Sequence, residues 1–489
     1  PRARPDVPQC LSHDGTPRYT RRVDNAPSTL AESLARFIHT LEPAAIPDAI
    51  RDKARLHLLD SIGIALAAST QDYARKAFAG LGTLEKGESI VIGMPGRLTL
   101  RDSALMNGML VHGLEFDDTS VEGRIHPSAF AVPCALAAGA FTHASGAALL
   151  AAYIGGVECA IRLGAAARGG FSPAGFNAMS VVGAFGSALI AGKLLGLDAQ
   201  AITNAQGIAY SAAAGNREFS AAAAWTKRFE AGWPAASGIT AAALAGQGFI
   251  GPRTAYEGKY GVFNTYLNEP AAPGALEPVT RGLGDEWKFA DTLVKLRPSC
   301  FFNHPAINST LALVTEHRIA ASDIRRIRVL LPRAAIDTVC EPREAKLAPQ
   351  DIAAAQFSVY FSVACAVVRK QFTLDEMNEA TLTDPLIRAL AARVEYAVDA
   401  QSTFPLHYSG GVEITTIDGR TLSAREDANA GSRDRPLAAG AIEKKFRENA
   451  QRVLPKARVE EILNAVLAIE SYADSSALAA ALAIAPPSR

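Results

Sequence analysis

Gly183-Ala-Phe-Gly-Ser-Ala-Leu-Ile-Ala-Gly192 is the stretch on which the fold turns. A glycine run of this kind has two readings. In a dinucleotide-binding unit it follows a strand and opens a helix around a phosphate. Here no strand-like run precedes it, and the surrounding residues are alanine and large aliphatics at helical spacing. Small residues at such positions let helices approach closely, so the stretch reads as the contact face of a buried helix.

The same grammar extends in both directions, and helix follows helix from Thr29 to about Leu244. Thr29-Leu-Ala-Glu32 is a capping box, followed by Leu30, Leu34, Phe37, Ile38 and Leu41 on one helical face. Pro47 opens a second helix, at the position where its missing N–H costs nothing. The most apolar stretch, 129–161, is interrupted by His143, Ser145 and several glycines, which marks a pair of buried helices and not a membrane span.

Composition agrees. Of 489 residues, 49% are hydrophobic but only 7% aromatic, which favours close-packed helices over a β-sandwich. Lys and Arg number 49, as do Asp and Glu, so the bulk charge carries no footprint for nucleic acid or an anionic membrane. Six cysteines (Cys10, Cys134, Cys159, Cys300, Cys340, Cys365) are widely scattered without a CxxC pair, as expected of reduced thiols in a cytoplasmic protein. Residues 1–26 are polar, lack the apolar core of a secretory signal, and read as a flexible lead-in.

Near residue 275 the pattern changes, after a Pro/Gly-rich linker at Asn268-Glu-Pro-Ala-Ala-Pro-Gly274. Arg326-Ile-Arg-Val-Leu-Leu331 alternates as a half-buried strand, with helical patterns around it at 305–320, 350–370 and 384–393. Val412 to Ile417, Asp418-Gly419 and Arg420 to Ser423 form a hairpin signal with a type I′ turn. A smaller α+β module is expected here, and the chain ends in amphipathic helix.

Three clusters carry chemistry. The first is His112-Gly-Leu-Glu-Phe-Asp-Asp-Thr119 with Arg124-Ile-His126-Pro127, polar residues in an apolar neighbourhood. A helix is expected to end near Asp117, and Pro127 to begin the next, leaving His126 just before a helix N-terminus, a place suited to handling an anion. Asp117 and Asp118 as helix braces with His126 as a satisfied core histidine is an equally open reading. A metal site at His112, Glu115, Asp117 and His126 lacks any of the strong ligand spacings, so no metal is expected.

The second cluster is Trp225-Thr-Lys227-Arg228-Phe-Glu230-Ala-Gly232-Trp233. Arg228 supplies a fork for a carboxylate and Lys227 a movable ammonium or proton donor. In the third, Lys295-Leu-Arg297-Pro298-Ser-Cys300-Phe-Phe-Asn303-His304-Pro305, prolines bracket a shaped loop. Nothing marks the Cys300 thiol as activated, so it reads as a lining residue, and His304 either lines the site or caps the helix that follows. No phosphate-loop, dinucleotide or nucleophile-elbow motif is present. Imidazoles, carboxylates and cations without a cofactor motif suit proton abstraction beside a carboxylate.

At these clusters the sequence resembles the MmgE/PrpD family, which includes 2-methylcitrate dehydratase, cis-aconitate decarboxylase and iminodisuccinate epimerase. The matching segments are 113–119 with His126-Pro-Ser128, 175–177 through 192–197, 225–228 with 231–233, 252–258, 295–304 and 355–358. The resemblance implies a mostly α fold: a large all-helical domain from both chain ends (27–272 and 408–489) with a smaller α+β domain (273–407) inserted. It also implies a homodimer without metal or organic cofactor, acting on small di- or tricarboxylates.

By motif position, His126, Asp117, Lys227 and Lys295 are the expected catalytic residues, with His126 oriented by Asp117. Thr119, Asn177, Arg228, Arg297, Cys300 and His304 are expected to bind substrate, and Arg124 to add its charge to the same cleft. The decarboxylase and many dehydratase-like members carry a histidine where this chain has Asn177, one is often seen at Glu230, and some members have one at Cys300. Asparagine donates a hydrogen bond but moves no proton at neutral pH. A 2-methylcitrate dehydratase-like hydro-lyase is the first expectation. The alternatives are a cis-aconitate decarboxylase-like or epimerase activity, or a carboxylate binder without turnover.

Overall fold

A computed structural model describes residues 28–222, 224–269, 272 and 274–484. The lead-in at 1–26 lies outside these residues, as does part of the linker.

The capping box forms as expected: Thr29 accepts from the Glu32 backbone, Glu32 accepts from the Thr29 N–H at 2.9 Å, and helix α1 runs over Leu30–Thr40. Helix α2 (Asp48–Ala68) has Pro47 as its cap and is buried on all sides from His57 onward, so it forms a central post of the core. On it pack α3 (Leu100–Val111), α4 (Ser128–Thr142) and α5 (Gly146–Ala166), and against these stand α6 (Ala178–Leu194), α7 (Ala199–Tyr210) and α8 (Thr226–Gly246). Helix α5 is long and apolar enough to cross a membrane, but 89% of its apolar window is buried inside the protein.

The small residues do what their spacing implied. A Cβ at Gly183 of α6 would lie 2.8 Å from the Phe130 ring of α4, and one at Gly238 of α8 would lie 2.4 Å from Ser187 of α6. Neither position has room for a side chain, so the close crossing of these helices requires glycine.

A second hydrophobic core begins with α9 (His304–Glu316) and strand β1 (Ile324–Leu331). Helix α10 (Val359–Arg369), β2 (Val394–Val398), β3 (Gly410–Thr416) and β4 (Thr421–Glu426) complete it. The sheet order is β2-β1-β3-β4; β1 pairs parallel with β2 and antiparallel with β3, and β3 pairs antiparallel with β4. The chain then returns to the first core with α11 (Ala439–Ala450) and α12 (Lys456–Leu467), whose Phe446, Val459, Ile462 and Val466 join residues from α1 and α2.

The two cores divide the chain differently from the expected 273–407. Val279, Trp287 and Phe289 still pack on the helical core, whereas the 410–426 hairpin completes the inserted sheet. Pairing with β1, which no local signal encodes, assigns that hairpin. Its turn also departs from type I′. Among its residues only Gly419 has positive φ, at 89°, and five residues separate the paired Thr415 and Thr421.

Candidate active site

Helix α3 ends at Val111, six residues before the expected stop at Asp117. The chain leaves the helix in a tight turn through Gly113, where a Cβ would fall 1.6 Å from the Tyr73 hydroxyl, so the turn passes there only as glycine. That turn holds Glu115 at φ 51°, a left-handed conformation that non-glycine residues rarely adopt. It aims Glu115, Asp117 and Asp118 in different directions.

Asp118 points down into the core and is structural. Its carboxylate accepts from the Ser128 backbone at 3.0 Å and the Ser128 hydroxyl at 2.6 Å, capping α4, and lies 2.8 Å from His57 Nδ1. The bracing role left open in the sequence thus belongs to Asp118. Asp117 is fully buried and pairs at 2.7 Å with His112 Nδ1. Burial alone would raise its pKa, but His112, His126 and Lys295 outweigh it and hold the carboxyl far below the usual range.

His126 stands two residues before α4, as expected, but Asp117 does not orient it. Its Nδ1 is 2.7 Å from the Asp118 backbone oxygen, 3.2 Å from Thr119 Oγ1 and 3.8 Å from Asp117 Oδ2. A carbonyl only accepts, so Nδ1 carries the proton and Nε2 keeps its lone pair. Burial, with Lys295, His112 and Lys227 nearby, pulls the His126 pKa down to about 4 against the opposing pull of Asp117. The His112 ring lies against it, centroids 5.0 Å apart.

Two lysines from distant segments meet Glu115. Lys227, in the first turn of α8, contacts Glu115 Oε1. Lys295 is 3.7 Å from Oε2 and donates to the Glu115 backbone oxygen at 3.1 Å. A cation at a helix N-terminus opposes the macrodipole, so Lys227 is held there by this carboxylate and by the Phe357 ring, 5.1 Å away. Behind the turn, Lys445 of α11 pairs with Asp60 of α2 at 2.7 Å, donates to the Phe116 carbonyl at 2.8 Å and sits 3.7 Å from the Phe116 ring centre.

The inserted unit closes the site from the other side. Thr119 and Leu293 exchange two backbone hydrogen bonds of 2.8 Å, which delivers Lys295 beside the 115–119 turn. Gln356 Nε2 donates to the Leu114 carbonyl at 2.7 Å and to that of Pro298 at 3.0 Å, tying the units together. A cleft of about 650 Å³ opens along this seam, lined by Tyr73, Gly113, Leu114, Arg228 and Gln356 among others.

The structure therefore gathers Asp117, Thr119, His126, Lys227 and Lys295 in one chamber, together with His112 and Glu115, which the sequence offered only as metal ligands. Arg228 faces the neighbouring cleft, stacked 4.5 Å from the Tyr73 ring and donating to the Gly113 carbonyl at 3.1 Å. Arg297 turns into the inserted unit toward Asn308 and the Phe372 carbonyl. His304 is buried and stacked on Phe301, and burial pushes the Cys300 thiol pKa up despite Lys295. Asn177 donates to Glu230 at 2.8 Å, so two positions where family histidines were expected are bonded to each other. Of the expected cations, Lys227 and Lys295 meet at Glu115, Arg228 faces the cleft and Arg297 turns away.

His112, Asp117 and His126 also bring three ligand atoms within 4.8 Å of one another. Within this group His112 Nδ1 and Asp117 are hydrogen-bonded at 2.7 Å, whereas His126 Nδ1 stands 3.8 Å from Asp117 and is held by the Asp118 carbonyl.

The MmgE/PrpD N-terminal domain family model matches residues 32–273, and the MmgE/PrpD C-terminal domain model matches residues 298–470. Curated relatives span nearly the whole chain. The cis-aconitate decarboxylase of Homo sapiens is 29% identical over 467 residues, covering 92% of this chain and 94% of that one. A cis-aconitate decarboxylase-like protein of Aspergillus oryzae, oryM, is 28% identical over 480 residues, covering 94% and 98%. The cis-aconitate decarboxylase of Aspergillus terreus is 27% identical over 479 residues, covering 93% and 96%.

Proposed function

Because the chain belongs to the MmgE/PrpD family, we propose that it is a lyase acting on a small di- or tricarboxylate through a carbanion beside a carboxylate, using only its own residues. The observation that carries this reading is a His126 whose Nδ1 is held by the Asp118 carbonyl, leaving Nε2 free, in the same cluster as the ammoniums of Lys227 and Lys295 on either side of Glu115. Ammoniums in a site shielded from water hold substrate carboxylates and stabilise the charge that develops next to them.

Decarboxylation of a cis-aconitate-like acid is the reaction to test first. The full-length relatives carry that name, and the dehydration expected from the sequence has no comparable support among them. In such a step the bond between a CH₂ carbon and its carboxylate breaks and carbon dioxide leaves. The electron pair forms a new double bond to the central carbon, and the old double bond delivers its pair to its far CH carbon, which bears one of the two remaining carboxylates. That carbon takes a proton from the ammonium side, where Lys227 and Lys295 stand.

Dehydration remains the second reading because His126 rests unprotonated, the state a proton-abstracting base requires. The test is incubation with cis-aconitate, citrate and methylcitrate in deuterated water, followed by NMR. Loss of carbon dioxide with one deuterium in the product supports the first reading, and water loss from methylcitrate the second. Binding without turnover or solvent exchange would leave a silent carboxylate binder, and no binding of any acid would defeat the proposal.

A further inference from the structure

The Lys295 ammonium is buried and that of Lys227 largely so, and the protein supplies their counter-charge from its own backbone turn. Glu115 lies between Lys227 and Lys295, touching the first through Oε1 and standing 3.7 Å from the second through Oε2. This is the position of an anion on a two-cation seat. We propose that Glu115 is a built-in carboxylate that occupies the substrate's anion seat and must be displaced by a ligand carboxylate. The inference rests on the assignment of Lys227 and Lys295 as that seat.

Three observations support it. The first is backbone geometry: Glu115 sits at φ 51°, and this left-handed turn projects its side chain into the chamber, an unusual conformation at a site where charge is concentrated. The second is what would stay behind. Lys295 also donates to the Glu115 backbone oxygen at 3.1 Å, and Lys227 rests over Phe357, so both ammoniums keep a partner when the carboxylate moves away.

The third is charge. Lys227, Lys295, His112 and His126 face the Glu115 carboxylate from α8, the segment after Leu293, the turn that ends α3 and the loop before α4. Against its own burial, these neighbours hold the carboxyl far below the usual range, so at neutral pH it competes as an anion. With Asp117 also ionised, the chamber already holds one carboxylate for each lysine, and a second anion on the seat would be repelled.

A consequence for selectivity follows. A tethered carboxylate competes at high effective concentration. A ligand that offers a single carboxylate has nothing else with which to displace it, whereas a di- or tricarboxylate anchors a second group elsewhere and carries the exchange. Glu115 would thus exclude small monocarboxylates from the seat.

The experiment is calorimetric titration of the full-length protein with propane-1,2,3-tricarboxylate and with acetate. Wild type is expected to bind the tricarboxylate and not acetate; E115Q, with the same shape and no charge, should bind the tricarboxylate at least tenfold more tightly and acetate measurably. E115A serves as the second variant, and thermal melts establish that each is folded. A folded E115Q or E115A that binds no more tightly than wild type, or loses binding, overturns the inference. If wild type binds no polycarboxylate while E115Q acquires acetate, the seat and its built-in occupant stand and the proposed substrate class fails.

Discussion

His126 Nδ1 lies 2.7 Å from the backbone oxygen of Asp118, and this one hydrogen bond decides which ring nitrogen is free for chemistry. The tautomer is set by the main chain of the same turn that carries Asp117 and Glu115. His126→Asn keeps a donor for the Asp118 carbonyl and removes the Nε2 lone pair. Turnover should fall by roughly 10²–10⁴-fold, the usual contribution of a positioned base, while the thermal midpoint stays close to that of wild type. Near-native turnover in the folded variant would remove His126 from the mechanism.

The His126 pKa predicts where acid stops the enzyme. Burial, then Lys295, His112 and Lys227, bring it from its ordinary value of about 6.5 down to about 4, so the base form persists well into acid. The acid limb of kcat/KM should therefore lie near pH 4. The same depression has a stability consequence. Between these pH values the unfolded chain binds the proton and the folded protein does not, so stability falls as pH drops through the window. His126→Asn should flatten this part of the stability profile. An acid limb at pH 6 to 7 would show that the ring is freely hydrated.

Lys445 and Asp60 form the support behind the site. Both are buried, and the Asp60 pKa is raised to about 6 because burial outweighs the pull of Lys445. Lys445→Met strips Asp60 of its counter-ion and should cost about 3–5 kcal/mol, the penalty typical of breaking a buried pair. A raised carboxyl binds more protons folded than unfolded, so this loss should grow as pH rises from 5 to 8. Replacing Asp60 with Leu in the same chain should recover most of the stability but not turnover, because the Phe116 carbonyl would still lack its donor. Denaturant midpoints at both pH values check this.

How much of this was legible beforehand depended on sequence distance. The capping box, the helix after His126 and the strand at 326–331 are local patterns, and the structure forms all three. Asp117, Thr119, His126, Lys227 and Lys295 stood out as polar groups in apolar or shaped contexts, and they meet. The Lys445 contact spans 329 residues, and nothing near Lys445 distinguishes it from the other lysines of an amphipathic helix. Cluster and motif position assign Arg228 and Arg297 to the site, but whether an arginine turns toward a chamber, a tyrosine face or a carbonyl is settled by packing. The hairpin at 410–426 was clear, but its partner strand was not, because register with β1 is a tertiary choice.

Helix packing reaches the chemistry through Gly232. It sits in α8, five residues beyond Lys227, and faces Gly108 of α3 so closely that a Cβ at Gly108 would lie 2.4 Å from the Gly232 Cα. A Cβ at Gly232 would lie 2.0 Å from the Leu105 carbonyl oxygen, a backbone atom of an intact helix that cannot swing aside. Gly232→Ala must therefore separate α3 from α8, and overpacking of this kind costs about 1–3 kcal/mol. The same separation draws Lys227 away from Glu115, which hangs from the end of α3, so kcat/KM should drop by more than the loss of folded protein explains. Gly246→Ala is the control at the other end of α8, where a Cβ would meet only the flexible Leu197 side chain at 3.0 Å. It should leave both stability and turnover near wild type. If the two variants behave alike in denaturant titration and steady-state kinetics, the α3–α8 contact does not set the position of Lys227.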